Sequence, residues 1–411
     1  MDRLRSLALS LPAAFALLAS SACGGGAANA GGGTATDSGT SSDSPVPEAE
    51  DAALDGGEPE ANPDLVTIAL SVCAPSLVYM APATVGSQSF QLLVDTGSTT
   101  LAVASSACSG CGVTPEYTPG SSAVDEHQTA TSQYGTGSWT GEIYQDTVAL
   151  GSAATPVKLA AIDTQSDFFQ DFTCSMQGVA GFGPAGAALP GTNAYFDDLV
   201  ASAKMPDVFA TQLCDGSGTL WLGGYDPSAA TGAPQYVPLA SGALSDVYYS
   251  VSLTSVTVAG TTVPIATKQF ADSVVDTGTA GFLLQTSAYD ALTAAIQSDA
   301  AFTEALGSSF FASQTGGVAC AASTATKAAL DAALPPLTLT FGSVSIQAAP
   351  TDSYLFPYMG KAWCSSLVTD PSVSSELPLA SIIGSPMLRS SIVVFDRAKN
   401  RIGFAPHAPC P

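Results

Sequence analysis

Basic residues are scarce in this sequence of 411 residues: 11 lysines and arginines stand against 35 aspartates and glutamates, a formal net charge of -24 at pH 7. No lysine or arginine lies between Arg5 and Lys158. Because proteins bind phosphate backbones through clusters of these cations, the composition excludes a nucleic-acid-binding protein. Such an acidic surface is typical of a soluble secreted protein. It also loses charge as the pH falls, which weakens self-repulsion and favours tolerance of acid.

Several common catalytic patterns are also missing. The two histidines, His127 and His407, are far apart and match neither a metal site nor a catalytic triad, and no Gly-x-Ser-x-Gly sequence indicates a serine hydrolase. The close pair Cys108 and Cys111 has no second close pair or histidine cluster to complete a zinc site. We therefore expect neither a metal nor another cofactor.

Residues 1–22 have the pattern of a secretion signal, with two arginines before an apolar core from Leu7 to Ala19. This core is too short to span a bilayer, and no later stretch is apolar enough to do so. The segment is followed by Cys23 and is similar to a bacterial lipoprotein signal, in which the cysteine becomes the lipid-modified first residue. We expect lipidation of Cys23; ordinary cleavage or a structural cysteine is the alternative.

Residues 23–64 consist mainly of glycine, alanine, serine, proline, aspartate and glutamate, with almost no large apolar side chain. Such a segment cannot bury enough surface to offset the entropy that it would lose on ordering. We interpret it as a disordered acidic linker that carries the lipid anchor.

From Leu65 onward, short runs rich in valine, threonine, isoleucine, leucine and tyrosine are separated by glycine, proline, serine and aspartate. Alternating runs of this length predict an all-β body. Three stretches with helical periodicity interrupt it, at 195–203, 287–306 and 326–333.

One strand-and-turn pattern occurs twice. The run Phe90–Ser98 ends in Asp-Thr-Gly-Ser, and about 180 residues later Ser273–Thr279 ends in Asp-Thr-Gly-Thr. A carboxylate at the end of a buried strand is costly unless it is compensated, so two such strands predict a pair of interacting carboxylates. Each copy is followed by an apolar pair that ends on glycine, at 178–181 and 381–384, which suits a close approach of two backbones. The spacing indicates a duplicated lobe.

Six motifs, in order, resemble those of the pepsin-type aspartic proteases. They are Asp95–Ser98, Gln133–Gly141, Gly181–Gly183, Leu220–Gly224, Asp276–Thr279 and Phe395–Arg397. The resemblance extends from about residue 65 to residue 406. It implies an all-β, bilobal fold with lobes at 65–242 and 243–411, one Asp-Thr-Gly turn in each lobe, a cleft between them and a hairpin flap over the cleft.

The resemblance also implies roles for single residues. Asp95 and Asp276 would be the catalytic pair, of which one takes a proton from a water molecule while the other protonates the scissile carbonyl oxygen. The residues that support this pair are Thr96, Gly97, Ser98, Thr277, Gly278 and Thr279. The flap residues that contact substrate are Tyr134, Gly135 and Thr136. Phe168, Phe169 and Phe182 are candidates for an apolar pocket.

Four departures from the family pattern bear on activity. Ala102 occupies the position of a tryptophan that usually hydrogen-bonds the flap tyrosine, and we expect Trp139 to fill part of that space. Ala280 replaces a common serine. Ser385 stands where many members have an aspartate linked with a low working pH, so we expect a higher pH optimum. The linker has no cations that could cover the cleft as the family's basic prosegments do, and we expect activity without prosegment removal.

Eight cysteines remain apart from Cys23, an even number that predicts disulfides in an exported chain. The sequence alone leaves their pairing open. The resemblance implies the pairs Cys108–Cys111 and Cys320–Cys364. For the remaining four we expect Cys174–Cys214 and Cys73–Cys410, the last of which would join the two ends of the folded body.

Together these patterns predict an exported aspartic endopeptidase that cleaves extended polypeptides, with cleavage favoured in acid. We expect a monomer that touches a bacterial membrane only through its lipid anchor, in the periplasm or at the cell surface; secretion is the alternative location. The alternative function is an inactive pepsin-fold protein that binds peptides or acts as an inhibitor. The intact turns and the Tyr-Gly-Thr-Gly stretch favour the enzyme.

Overall fold

The computed structural model describes residues 64–408 and Cys410, except 74–76, 136, 170–173, 242–243, 270–271, 314–317 and 370–380. The signal peptide predicted at 1–22, Cys23, the linker up to residue 63 and the flap residue Thr136 lie outside the described residues. In the part of the chain that is described, no helix is long and apolar enough to cross a membrane.

Alternating burial explains why most of these segments form strands. In Val344–Ala348 the valine, isoleucine and alanine are buried while the serine and glutamine are exposed. Its partner Leu337–Phe341 buries its two leucines and its phenylalanine. Side chains of a strand point alternately to two faces, so apolar residues at every second position build one surface toward the core. The prediction of an all-β body with a few short helices is confirmed.

The strands of the described residues are β1 (Val66–Cys73), β2 (Val78–Val85), β3 (Gln88–Asp95), β4 (Ala102–Ser109), β5 (Val124–Tyr134), β6 (Gly137–Leu150), β7 (Ala153–Ser166), β8 (Gly178–Gly181), β9 (Val208–Leu213), β10 (Ser217–Leu222), β11 (Gln235–Pro238), β12 (Ser250–Val251), β13 (Ser255–Val258), β14 (Thr261–Thr262), β15 (Ser273–Asp276), β16 (Phe282–Leu284), β17 (Cys320–Ala322), β18 (Leu337–Phe341), β19 (Val344–Ala348), β20 (Leu355–Tyr358), β21 (Ala362–Ser365), β22 (Leu367–Thr369), β23 (Ser381–Gly384), β24 (Ile392–Asp396) and β25 (Arg401–Ala405).

The two turn-bearing strands lie in different sheets. Strand β3 belongs to a 13-stranded sheet with the order β11-β25-β24-β9-β10-β1-β2-β3-β8-β4-β7-β6-β5. Strand β15 belongs to a 5-stranded sheet with the order β12-β15-β23-β16-β22. Two further sheets, β14-β13-β18-β19 and β17-β21-β20, complete the β-structure of the described residues.

The helices are α1 (Tyr195–Ala203), α2 (Thr286–Gln297), α3 (Ala300–Leu306), α4 (Lys327–Ala333) and α5 (Ser385–Leu388). The stretch predicted as one helix at 287–306 forms two, because the side chain of Asp299 accepts the N–H of Phe302 at 3.0 Å and so caps a new helix. Helix α5 was not predicted; its sequence signal is Pro386 in the first turn, directly after β23.

The last strands of the chain return to the largest sheet. Strand β24 pairs with β9, and β25 pairs with β24 and β11. Strands from both sides of the predicted boundary at 242/243 therefore share one sheet. The lobe limits of 65–242 and 243–411 remain a prediction.

Four pairs of cysteines lie at disulfide distance. Cys108–Cys111 and Cys320–Cys364 agree with the pairs that the family resemblance implied. Cys320 and Cys364 are direct neighbours on the antiparallel strands β17 and β21.

The other two predicted pairs, Cys174–Cys214 and Cys73–Cys410, are wrong. Cys73 bonds Cys174 and Cys214 bonds Cys410, with Cα–Cα distances of 5.4 and 5.9 Å. Cys73 ends β1 beside β2, and Cys174 lies against Met80 of β2. Cys214 follows β9, whose partner β24 leads through β25 to the C-terminus. The order of strands in the sheet, and not nearness to a chain end, decides which cysteines meet.

This pairing predicts a specific stability effect. The Cys214→Ser/Cys410→Ser variant should lose about 2–5 kcal/mol of unfolding free energy, because the bond closes a loop with a sequence separation of 196. Denaturant unfolding measures this loss. Cys108→Ser/Cys111→Ser, with a separation of 3, is the matched control and should lose less, because its bond closes a far shorter loop. Peptide mapping of the unreduced protein that linked Cys73 to Cys410 would contradict the assignment.

Candidate active site

Asp95 is placed by two parallel strands. It is the last residue of β3 and lies opposite Gly181 of β8. The backbone carbonyl of Asp95 accepts the N–H of Phe182 at 2.7 Å, so the chain after β8 crosses directly behind the turn. A Cβ atom on Gly181 would lie 2.4 Å from the carbonyl carbon of Thr99. This close passage explains why an apolar pair ends on glycine here.

Asp276 is placed in the same way by a second pair of parallel strands. It ends β15 opposite Gly384 of β23. The N–H of Ser385 donates to the carbonyl of Thr279 at 2.8 Å. A Cβ atom on Gly384 would lie 2.2 Å from the carbonyl oxygen of Gly281. The duplication seen in the sequence is thus a duplication of backbone geometry.

The two turns are joined by hydrogen bonds of Thr96 and Thr277. Each hydroxyl accepts the backbone N–H of the other threonine, at 3.0 Å from Thr277 N and at 3.2 Å from Thr96 N. Each hydroxyl also donates to a carbonyl of the opposite strand, Thr96 to Val275 at 2.9 Å and Thr277 to Val94 at 2.7 Å. Both threonines are fully buried, so this exchange fixes how the two strand ends face each other.

Each carboxylate accepts hydrogen bonds from its own turn, one from a backbone N–H and one from a hydroxyl. The backbone donors are Gly97 to Asp95 and Gly278 to Asp276, both at 2.8 Å. The hydroxyl donors are Ser98 to Asp95 and, at 2.5 Å, Thr279 to Asp276. All six predicted support residues are therefore brought to the site.

The carboxylates also lie against each other's turns. A Cβ atom on Gly97 would be 2.7 Å from Asp276 Oδ2, and one on Gly278 would be 2.4 Å from Asp95 Oδ1. At either position a side chain would have to displace the opposite carboxylate. Glycine is needed here because the opposite carboxylate occupies the space that a side chain would take.

Both carboxyl groups are completely buried, with 0% exposure. Burial and then the charge of Asp276 hold the pKa of Asp95 well above its ordinary value. Burial also raises the pKa of Asp276, although the hydrogen bonds from Thr279 and Gly278 oppose this rise. Two carboxylates so placed cannot both ionise easily, so the pair retains one proton above the pH at which an ordinary aspartate has lost it.

Strands β5 and β6 pair as an antiparallel hairpin, the element that was predicted to be the flap. Tyr134 ends β5 and is 3% exposed, while Gly135 lies at the exposed tip. Burial, and next the charge of Asp95, raise the pKa of Tyr134 to about 12. Tyr134 therefore lies near Asp95, and its role in contacting substrate stays a prediction.

The expectation for Trp139 is confirmed. Trp139 is 1% exposed and lies in one apolar cluster with Ala102 and Tyr134. Its indole N–H donates to the hydroxyl of Tyr134 at 3.3 Å. A tryptophan on β6 thus supplies the hydrogen bond that family members usually draw from the position of Ala102.

The three candidate pocket phenylalanines separate into two groups. Phe168 packs against Tyr134 and Phe169, with ring centroids 5.1 and 4.8 Å apart. Phe182 instead packs against Phe196 and other aromatic rings of the large core. Only Phe168 and Phe169 belong to the flap side.

Tyr248 is a buried tyrosine near the carboxylates that the sequence did not indicate. It is buried, and its pKa is raised by burial and then by the charges of Asp276 and Asp95. It precedes β12, the neighbour of β15, and no motif marks it. Among the described residues, no group of three or more histidine, cysteine or acidic side chains is arranged to hold a metal ion.

Comparison with known proteins agrees with this geometry. The family model described as eukaryotic aspartyl protease matches residues 78–407, which include both turns and the flap. The chain belongs to the eukaryotic aspartyl protease family. Pepsin-2B of Gadus morhua is 30% identical over 330 residues, which cover 78% of this chain and 93% of that protein. Pepsin A of Sus scrofa is 29% identical over 333 residues, 78% of each chain. The beta-secretase of Strongylocentrotus purpuratus is 27% identical over 376 residues, 82% of this chain and 67% of that protein.

The raised pKa of Asp95 predicts the pH dependence of stability. Between the unfolded pKa of about 3.9 and the raised folded pKa, the native state holds more protons than the unfolded state, so stability falls as the pH rises. Asp95→Asn removes this effect. The variant should therefore be more stable than the wild type at neutral pH and equal to it at about pH 3. For each tenfold difference between the folded and unfolded protonation constants of Asp95, the unfolding free energies of variant and wild type should differ by about 1.4 kcal/mol at neutral pH.

Urea unfolding of both proteins across pH measures this difference. Asp290→Asn, which changes an exposed aspartate of α2, is the matched control and should follow the wild type. A constant difference between Asp95→Asn and the wild type at all pH values would contradict the raised pKa.

The turn glycines give a second prediction, for peptide cleavage. Gly278→Ala should lower kcat/KM by at least about 100-fold with the fold retained, because the new methyl group displaces the carboxylate of Asp95 and small displacements at a reacting group have effects of this size. Gly120→Ala, where a Cβ atom meets nothing within 4 Å, is the control. Circular dichroism checks the fold. Wild-type kcat/KM in Gly278→Ala would show that the carboxylates are not confined as described.

Proposed function

We propose that this protein is an active aspartic endopeptidase that hydrolyses peptide bonds through Asp95 and Asp276. The observation that carries the proposal is the pair of fully buried carboxyl groups, each packed against the other's turn glycine. Such a pair has one proton to donate and one carboxylate to accept, as peptide hydrolysis requires. The undamaged turns and the hairpin with the buried Tyr134 support an enzyme over a scaffold that only binds peptides.

The chemistry needs only these two groups and a water molecule. The ionised carboxylate takes a proton from water as its oxygen attacks the scissile carbonyl carbon, and the protonated partner donates to the carbonyl oxygen. In the collapse of the tetrahedral intermediate, the carboxyl that took the proton from water donates it to the amide nitrogen and the C–N bond breaks. The other carboxylate takes a proton back from a hydroxyl of the intermediate, which restores the starting state. Ser98 and Thr279 hold the outer oxygens of the pair, and Gly97 and Gly278 hold the inner ones.

The substrate class follows from the flap. A hairpin that closes over the carboxylates offers backbone groups to an extended chain, so unfolded or flexible polypeptides are the substrates that we propose. The rings of Tyr134 and Phe168 pack together, and this apolar surface favours substrates with apolar side chains next to the scissile bond. Because both carboxylates have no solvent exposure in this conformation, the flap must open before a substrate can enter.

We further propose that the protein acts outside the cytoplasm. Four disulfides fit an oxidising compartment. The segment 1–22 and Cys23 would direct export and lipid anchoring to a bacterial membrane, at the cell surface or in the periplasm. A monomer without cofactor suffices for the reaction, since both carboxylates come from one chain.

Cleavage of an unfolded protein by the purified protein across pH tests the proposal. The wild type should cleave best in acid, and pepstatin should inhibit it. Asp95→Asn and Asp276→Asn should each reduce cleavage to background because each removes one half of the proton exchange. Asp290→Asn should cleave like the wild type. A folded wild-type protein that cleaves at no pH, or a folded Asp95→Asn variant that still cleaves, would refute the proposal.

A further inference from the structure

Gln165, near the end of β7, forms hydrogen bonds through both the nitrogen and the oxygen of its side-chain amide. Its Nε2 donates to the carbonyl of Gly110 at 2.7 Å. Its Oε1 accepts the N–H of Phe168 at 2.9 Å and that of Phe169 at 3.4 Å. One half-buried side chain therefore connects two segments that are far apart in sequence.

The turn after β7 depends on this acceptor. Asp167 has φ 59°, in the left-handed region. Phe168 is fully buried, and a buried backbone N–H without a partner is costly. The side chain of Gln165 satisfies that N–H and holds the phenylalanine in place.

The same turn lies directly under the flap. Ser138 of β6 forms a parallel bridge with Asp167. A Cβ atom on Gly137 would lie 2.2 Å from the carbonyl oxygen of Ser166, so the two backbones touch. The ring of Phe168 packs on that of Tyr134. A shift of this turn must therefore shift the base of the flap.

The other end of the Gln165 amide rests on the small disulfide loop. Gly110 lies between Cys108 and Cys111, and its φ is 88°. Cys111 is buried in the apolar cluster that also contains Tyr134, Trp139 and Phe168. The disulfide holds the glycine carbonyl where Gln165 can reach it.

We propose that Gln165 is a positioning residue for the flap, and that it transmits the state of the Cys108–Cys111 disulfide to the cleft. This inference rests on the proposed function, since it concerns the affinity of the same site. A dithiol reductant would open the bond: one of its thiolates attacks a cysteine sulfur, and its second thiol resolves the mixed disulfide. The protein gains two thiols and the reductant becomes a disulfide. The loop and then the flap lose their support.

Two variants of Gln165 test the positioning role. Gln165→Met keeps the length of the side chain but offers neither hydrogen bond, and it should raise KM for peptides with phenylalanine beside the scissile bond about tenfold, with a smaller change in kcat. For matched alanine peptides the rise should be smaller. Gln165→Glu, assayed at about pH 3.5, below the ordinary glutamate pKa of about 4.3, offers a donor and an acceptor again and should restore KM. Gln145→Met, at an exposed position of β6, is the control.

The disulfide is tested in the same assay. Cys108→Ser/Cys111→Ser should raise KM like Gln165→Met, and the combined variant should be no worse than either, because both act through one connection. Treatment of the wild type with a dithiol should have the effect of the serine variants. The inference would be overturned if the two KM increases multiplied in the combined variant, or if Gln165→Met had the KM of the wild type.

A further readout separates this inference from the proposed function. If the wild type does not cleave, the proposed function fails. The role of Gln165 is still decided by acrylamide quenching of Trp139 emission, which is obtained by subtracting the emission of the Trp139→Phe variant. Gln165→Met and Cys108→Ser/Cys111→Ser should both increase this quenching at least about twofold, because Trp139 pairs with Gln165 across β6 and β7 and bonds Tyr134. Unchanged quenching in both variants would overturn the inference.

Discussion

The hydrogen bonds between Thr96 and Thr277 join two points of the chain that are 181 residues apart. The hydroxyl of each threonine donates a hydrogen bond to the opposite strand and accepts one from a backbone N–H of the opposite turn. Neither turn can therefore move without the other. The arrangement buries two carboxyl groups side by side, where desolvation and mutual repulsion are unfavourable. The four hydrogen bonds from the turns offset part of this cost. The rest of the fold serves to hold the two strand ends at this spacing.

Much of this site could be predicted from the sequence because it repeats. A strand that ends in Asp-Thr-Gly, followed later by an apolar pair and a glycine, is a local pattern, and its backbone geometry is local as well. The strands β3 and β15 and their partners β8 and β23 were identified by such patterns. The α2–α3 break depended on a single capping residue, Asp299, within a continuous apolar periodicity, and this is why one helix was expected there.

Other features depend on contacts between distant segments, for which the sequence carries no local signal. The Cys73–Cys174 and Cys214–Cys410 bonds follow from the order of strands in the largest sheet, which cysteine spacing does not reveal. Tyr248 comes near the carboxylates through the pairing of β12 with β15, which no local pattern reveals. Trp139 could be proposed because a usual partner of the flap tyrosine was missing. Its bond to Tyr134 shows that one hydrogen bond can be supplied from different strands.

The site depends on Asp95 and Asp276 sharing one proton, which titration of the two groups tests directly. Carbon-13 NMR of the aspartate carboxyl carbons, with both residues assigned through their Asn variants, follows the protonation of each group directly. We expect two linked titration steps seen at both residues, the second of them well above the ordinary aspartate pKa. Two independent titrations at ordinary values would contradict it, because they would mean that the carboxyl groups are neither buried nor close together in solution.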